Sequence, residues 1–485
     1  MLTTAVRARS ERLVGPLWRP TVLGTLGSLG IVLFASRIGS TPRPPTYRWW
    51  LRFAAGNYDV AHVFFYLSVS LLLLGWLGVG VHALGGRLSP ARAWAVLALW
   101  GGPLFLGTPV FSRDVYSYIA QGQLVRHGFN PYLVAPRALG PGPLLSSIAS
   151  VWRDTTSPYG PLYVALSHVA SALSSNSLIE QVLVFRTMEL IGVALLMVAL
   201  PALAGHFGAD GGVAIWLGVL SPLALFSAVS SAHNDTLMLG LMAVALLLGV
   251  RGARRWAIVL FSLAATIKLP ALAGVVFLSA GALRGTTSRE RARLIVEAVA
   301  IPGLIITAVT ELCGFGWTWL GPTALHIPTE LRVLTTPMVS VGQLLASSLH
   351  ALGLGVATST AVTFTQHVGE VAAAVVMVLL VLHTRADNMA RLFGVALMVI
   401  VIASPTVWPW YFLWGVTVLA TTSAQRSLFL ALVAALAMLL VGPGGTPMIG
   451  GNGFYVSGPL VLAGLVWFFW RGEWRTVLRG VDRVD

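Results

Sequence analysis

Negative charge is scarce in this chain. Seventeen Asp and Glu serve 485 residues beside 31 Lys and Arg, and charged side chains of both signs reach only 10%. A surface kept wet by water carries more charge than that, which argues against a soluble globule. Cysteine is nearly missing too: Cys313 alone rules out an intrachain disulfide framework and leaves no cysteine set for zinc. No HExxH pair, Walker loop or dinucleotide fingerprint occurs, and the 10 His show no metal-ligand spacing. The expectation is a protein with no metal, no cofactor and no soluble nucleotide substrate.

Apolar residues fill the chain instead. They make up 56% of it, in runs of roughly 15 to 25 residues from end to end, the signature of a polytopic α-helical membrane protein. A barrel of strands would alternate in segments of about ten residues, so strands are not expected in quantity. The 51 Gly and 26 Pro lie inside or beside the apolar runs, where close helix packing and helix breaks are tolerated. A net charge of +14 suggests nucleic acid at first sight, but the basic residues are scattered between the apolar runs. They read as topology signals and lipid-surface contacts, and no nucleic-acid partner is expected.

Positive charge also sets the orientation. Arg7, Arg9, Arg12 and Arg19 precede the first apolar run without a cleavage site, which predicts an uncleaved first span and a cytoplasmic N-terminus. Spans are predicted near 21–39, 59–83 and 92–110, with Arg87 and Arg92 in a cytoplasmic loop, so Asp114 emerges on the extracytoplasmic face. The following segment, 111–181, contains the short apolar run PLYVALSHVASAL. If that run lies at the surface, spans at 182–206, 213–229, 234–250, 254–268, 270–284 and 293–313 put Arg251, Arg254, Arg255, Arg284, Arg289, Arg291 and Arg293 all inside. If it crosses, all seven fall outside. The positive-inside bias favours the first arrangement. A second extracytoplasmic segment, 314–364, carries SVGQLLASSLHAL at the surface, and five further spans follow. Their connections place Arg385, Arg391, Arg426 and the C-terminal Arg471, Arg475, Arg479 and Arg483 inside, and TVWPWYF and PGGTPMIGGNGF outside. The prediction is a single transmembrane domain over 1–485, all-α, with about fourteen spans. No internal repeat is visible, and the long loops lie on one side only, a pattern of one-sided chemistry rather than alternating access.

The polar clusters gather on that side. Ser112 can cap a helix from Arg113 to near His127, ahead of Gly128 and Pro131, which puts Asp114 in the first turn. Asp114 is then either a charge complementing the helix dipole or a general base at the membrane surface. Tyr118 and Gln121 follow on the same face and suit a sugar. His233, Asn234 and Asp235 sit between two spans as hydrogen-bonding groups, with Asp235 equally able to cap the next helix. Lys268 interrupts an apolar run just before Leu269 and Pro270. Unpaired there, its ammonium would cost roughly 2.5 to 3.5 kcal/mol, so it either snorkels to the interface or meets a phosphate. Arg186, early in a span, serves the same phosphate or pairs with Glu189. Trp408, Trp410 and Tyr411 form an interfacial aromatic belt or stack on a sugar ring, and SPYGP, after Trp152, Arg153 and Asp154, reads as a rigid turn framing the site.

Taken in order, VFSRDVYSYIAQGQLVRHGFNPY, SPYGP, SAHNDTLMLGL, IKLPA and PWYFLW resemble the actinobacterial polyprenol-phosphomannose-dependent α-1,6-mannosyltransferases, MptA and MptB, of the GT-C class of membrane glycosyltransferases. The similarity spans most of the chain. It implies a GT-C-like bundle at the plasma membrane, with two long extracytoplasmic loops carrying surface helices and an active site on that face. The implied donor is mannose on a polyprenyl (decaprenyl) phosphate. The implied acceptor is a mannosylated phosphatidylinositol or α-1,6-mannan, the backbone of lipomannan and lipoarabinomannan. By position Asp114 matches the catalytic aspartate and would take the proton of the acceptor 6-hydroxyl. Lys268, with Arg113, Arg126 or Arg186, would stabilise the departing phosphate. His233, Asn234, Asp235, Trp408, Trp410 and Tyr411 would bind sugar, and no divalent metal is needed. Two other readings remain open: a GT-C enzyme using another polyprenyl-phosphate sugar, and a lipid-linked sugar flippase or transporter.

Overall fold

The computed structural model describes residues 16–42, 57–174, 177–321, 336–404, 406–422, 431 and 441–445. Arg7, Arg9, Arg12, Arg426, the C-terminal arginines, the final expected spans and most of PGGTPMIGGNGF lie outside the described residues. The described residues are helical, with no strand among them. Five helices are long and apolar enough to cross a membrane: Trp18–Ile38, Tyr58–Leu84, Leu178–His206, Ser288–Cys313 and Thr358–His383. A sixth span is available if Gly211–Gly218 and Pro222–Ser230 count as one, bent by 51°.

The fourteen expected spans include the last ones, which lie outside the described residues; among the described residues several of the expected runs do not form single long helices. Several of those runs are broken or shortened. Asp235–Val250, Leu269–Ala282 and Met389–Ala403 are apolar but shorter than the roughly 20 residues that a bilayer-spanning helix uses. The run expected to cross at 213–229 changes direction at Ser221–Pro222, where proline supplies no N–H and starts a new helix. PLYVALSHVASAL forms the 13-residue helix Pro161–Leu173, too short to span, and SVGQLLASSLHAL lies in the helix Pro337–Ala351. Ser288–Cys313 and Thr358–His383 have only 11% and 22% of their apolar stretches buried, against 44–50% for the other three long helices. Their bare leucines and valines, such as Leu304, Leu312 and Val371, are the apolar surface that lipid would cover.

Small residues and satisfied buried donors hold the bundle together. Gly27 and Gly75 let the first two long helices touch along their backbones: a Cβ at Gly27 would stand 2.5 Å from Leu72 N, and one at Gly75 2.7 Å from Gly24 N. Trp76 and Trp216 stack at 5.0 Å, and each indole donates to the other's backbone carbonyl, at 3.0 and 2.8 Å. Two large apolar rings are thereby buried with no donor left over.

Arg186 is fully buried within its span. Its guanidinium donates to the carbonyls of Phe105, Gly107 and Ser230, where two helices end and the backbone leaves regular structure. The arginine ties together the two turns that carry the polar cluster below. The sequence offered a phosphate or Glu189 as its partner; the hydrogen bonds seen go to main-chain carbonyls, and Glu189 Oε2 accepts the Leu237 N–H at 2.9 Å.

Candidate active site

Asp114 opens the helix Asp114–Arg126, one residue later than the sequence predicts, so Arg113 rather than Ser112 takes the N-cap place, and Ser112 Oγ accepts the Asp114 N–H at 3.1 Å. The turn before it is tight. Phe111 takes φ 65°, a left-handed conformation costly for a bulky residue, and Ala232 takes φ 51° just before His233. These are the two such non-glycine residues among those described, and the two turns are sewn to one another. Val110 N donates to Ser230 Oγ at 3.2 Å, Ser231 Oγ donates to Val110 O at 2.6 Å, and the rings of Phe111 and Phe226 meet at 4.9 Å. The result sets His233 Nδ1 3.6 Å from Asp114 Oδ2 and 3.4 Å from the Tyr118 hydroxyl.

Two further segments complete the cluster. Gly160 N and Leu162 N donate to Ile267 O and Thr266 O, at 2.9 and 3.1 Å, which clamps SPYGP onto the strand-like break before Pro270. Only glycine fits there, since a Cβ at Gly160 would fall 2.1 Å from Thr266 O. The break leaves Lys268 extended, with Nζ 2.7 Å from Asp235 Oδ1 and facing the rings of Tyr411, Trp414 and Tyr159 at 4.4, 5.1 and 5.9 Å. Trp414 Nε1 donates to the same carboxylate oxygen at 2.6 Å. An ammonium in apolar surroundings is stabilised here by one carboxylate and three π faces. Trp410 stacks on His233 at 4.1 Å, and Trp408 stacks on Trp410 at 4.8 Å.

Burial sets the protonation states. It pushes the Asp114 carboxyl up to about 7, against the opposing pull of the Lys268 ammonium and with a further push from Asp235. It also lowers His233 to about 3, so the imidazole is neutral. Several buried polar atoms have no hydrogen-bond partner among the described residues: His233 Nε2, both side-chain polar atoms of Asn234, and Asp235 Oδ2. Leaving such atoms unsatisfied costs about 1 to 3 kcal/mol each. Three consecutive buried residues are in that state. Among the described residues no three His, Cys, Asp or Glu side chains meet as a ligand set for a metal.

The helix bearing Asp235 is seated by close packing. Gly192 and Gly240 face each other across the Leu178–His206 and Asp235–Val250 helices, and a Cβ on Gly192 would lie 2.4 Å from Thr236 O. Gly192→Val is expected to lower stability by about 1 to 3 kcal/mol and to displace Asp235 with the start of its helix. Thermal unfolding of the purified variant checks it, and an unchanged midpoint would remove the seating role.

The structure brings Asp114, Tyr118, His233, Asn234, Asp235, Lys268, Trp410 and Tyr411 into one cluster, with Trp408 stacked outside it. Four other expected site residues turn elsewhere. Arg113 donates to the carbonyls of Thr41, Ser147 and Gly444, pinning three loops. Arg126 donates to Ser171 O at 2.7 Å, twelve residues along the helix, about 18 Å from Asp114. Arg186 holds the carbonyls already named. Gln121 Oε1 accepts from Ser157 Oγ at 3.1 Å and anchors the SPYGP loop from behind. Tyr159 and Trp414 belong to the site although the sequence did not single them out. Trp414 follows Tyr411 by three residues, helical spacing that puts both on one face.

Residues 21–284 match the N-terminal domain of the α-(1→6)-mannopyranosyltransferase family MptA/B, and residues 338–471 match the MptB C-terminal domain. The chain is 34% identical over 433 residues to α-(1→6)-mannopyranosyltransferase A of Mycobacterium tuberculosis, covering 86% of this chain and 82% of that protein. It is 30% identical over 393 residues to a probable α-(1→6)-mannopyranosyltransferase of Mycolicibacterium smegmatis, covering 73% and 69%. With α-(1→6)-mannopyranosyltransferase B of Corynebacterium glutamicum it shares 27% identity over 451 residues, covering 85% and 74%. No solved structure matches.

Proposed function

Because the chain belongs to the MptA/MptB family of α-(1→6)-mannopyranosyltransferases, and is thus a membrane mannosyltransferase, we propose that it takes mannose from a polyprenyl phosphate and joins it to the 6-hydroxyl of an α-1,6-mannan acceptor. The acceptor is a mannosylated phosphatidylinositol or its extended mannan, and the reaction runs on the extracytoplasmic face of the plasma membrane. The observation that carries this reading is the cluster in which a partly buried carboxylate, Asp114, and a partly buried ammonium, Lys268, lie beside buried polar atoms of His233, Asn234 and Asp235 that lack hydrogen-bond partners among the described residues.

The chemistry follows from those groups. The acceptor hydroxyl attacks the anomeric carbon from the face opposite the phosphate, so a β-linked donor yields the α product. The O–H proton goes to an Asp114 oxygen as the new C–O bond forms. The C–O bond to phosphate breaks, and the charge gathering on the leaving phosphate is met by the Lys268 ammonium. Lys268 is held by its Asp235 partner at 2.7 Å before the donor binds. With Arg113, Arg126 and Arg186 engaged by carbonyls, Lys268 is the single cation retained in this mechanism. Asn234 and the neutral His233 offer donor and acceptor sites to sugar hydroxyls, and Trp410 supports the imidazole from behind.

Transfer in liposomes from synthetic polyprenyl phosphomannose to a short α-1,6-mannoside tests the reading, with polyprenyl phosphates of arabinose and glucose run in parallel and a chelator in matched samples. Mannose transfer that survives chelation is expected. Transfer only of another sugar would move the donor assignment, and movement of intact lipid-linked sugar across the bilayer without transfer would favour a flippase.

A further inference from the structure

Two charged residues on one helix grip the turn that carries His233, Asn234 and Asp235. Arg186 and Glu189 stand three residues apart in Leu178–His206, on one face, and both are fully buried. Arg186 Nε donates at 2.8 Å to the carbonyl of Ser230, the last residue of the helix Pro222–Ser230. Glu189 Oε2 accepts the N–H of Leu237 at 2.9 Å, in the first turn of the helix Asp235–Val250. A helix ends in unpaired carbonyls and begins with unpaired N–H groups, and its dipole favours a cation at the end and an anion at the start. The turn at 231–236 between those two contacts includes Ala232 at φ 51°. The helix Asp235–Val250 has no side-chain cap of its own: Asn234 takes the N-cap place without accepting a hydrogen bond, and Asp235 Oδ1 is engaged by Lys268 and Trp414.

We propose that Glu189 is a positioning residue for mannose transfer: it caps the Asp235 helix from the neighbouring span and so fixes where Asp235 holds Lys268. The inference rests on the mannosyltransferase reading of the cluster. Glu189 has no exposed surface, so it acts through the turn and not on the sugar. The connection is short. Leu237 lies two residues after Asp235, whose Oδ1 is 2.7 Å from Lys268 Nζ. Gly192, three residues beyond Glu189, lets the two helices close far enough for the carboxylate to reach the amide.

The test compares Glu189→Gln, which keeps an oxygen to accept the Leu237 N–H, with Glu189→Leu, which removes it at similar volume. Glu189→Leu is expected to lower kcat for mannose transfer roughly 10- to 100-fold, the scale of a misplaced catalytic group, and Glu189→Gln to stay within about threefold of wild type. In the Lys268→Met/Asp235→Asn background, where the pair it positions is gone, Glu189→Leu should add less than about a twofold loss, because residues that act through one another are not additive. A full loss in that background, or equal losses in the Gln and Leu variants, overturns the proposal. Where Glu189→Leu does not fold, Glu189→Met serves the same comparison. Amide hydrogen exchange needs no donor and separates this inference from the transfer reading. Faster exchange confined to 233–240 in Glu189→Leu supports the cap even if wild type transfers no mannose from a polyprenyl phosphate, in which case the donor reading fails. Unchanged exchange there overturns the cap even if transfer is robust.

Discussion

Asp114→Asn is expected to lower mannose transfer by about 10²- to 10⁴-fold, the range over which a positioned general base contributes, without unfolding the protein. Folding survives for an electrostatic reason. Burial raises the carboxyl of Asp114 to about 7, so between its ordinary value near 3.8 and 7 the folded chain binds a proton that the unfolded chain has released. The native state therefore favours the neutral acid, and its stabilisation is complete below the unfolded value and fades as pH climbs through about 7. Asparagine mimics the neutral acid at every pH. The variant should match wild type in thermal stability near pH 4, exceed it by a growing margin as pH rises toward 7, and keep that margin at pH 8. In wild type kcat/KM should rise with pH through about 7, as the base ionises, and then level off. Transfer by a well-folded Asp114→Asn protein at near wild-type rate would remove Asp114 from the chemistry.

Lys268→Met is expected to cost about 10²- to 10³-fold in transfer, the usual loss when a group aimed at developing charge is removed. It should also move the pH profile. The Lys268 ammonium favours the ionised form of Asp114, so without it the acid limb of kcat/KM shifts to higher pH. A phosphate-binding lysine with no influence on the base would lower the profile without moving it. Lys268→Met alone leaves Asp235 buried without its cation, a change worth about 3 to 5 kcal/mol when one partner of a buried pair is removed. Lys268→Met/Asp235→Asn answers that difficulty by removing both charges. The double variant should fold and remain slow, and recovery of full transfer in it would show that Lys268 serves only to neutralise Asp235.

Asp114 and Lys268 were legible in the sequence for one physical reason: an ionisable group inside or beside an apolar run requires a partner or a task. The same signal is ambiguous at Arg186, because a buried cation is satisfied by main-chain carbonyls as well as by a phosphate, and carbonyls carry no mark in the one-letter code. Arg113 repeats the lesson at the loops it pins. Gln121 shares a helix face with Asp114 by spacing, but that face continues behind SPYGP, so the amide is spent on Ser157. Trp414 and Tyr159 lie inside PWYFLW and SPYGP, but aromatics near a membrane interface are common, and nothing local distinguishes a belt or turn residue from one facing an ammonium.

Composition and hydrophobic run length by themselves determined the all-helical membrane class, since a bilayer offers unpaired backbone no water and leaves few other ways to cross it. Motif order determined the family, and scarcity of acids drew attention to Asp114. Where the described apolar runs break was decided by tertiary structure, because proline, glycine and the turns at 218–222 and 266–270 divide runs that hydropathy alone would count whole. So was the pairing of Lys268 with Asp235, and the approach of His233 to Asp114. Those contacts join residues more than thirty, and in one case more than a hundred, positions apart, and they depend on two strained turns meeting through Ser230, Ser231 and a buried arginine, an arrangement no local pattern encodes.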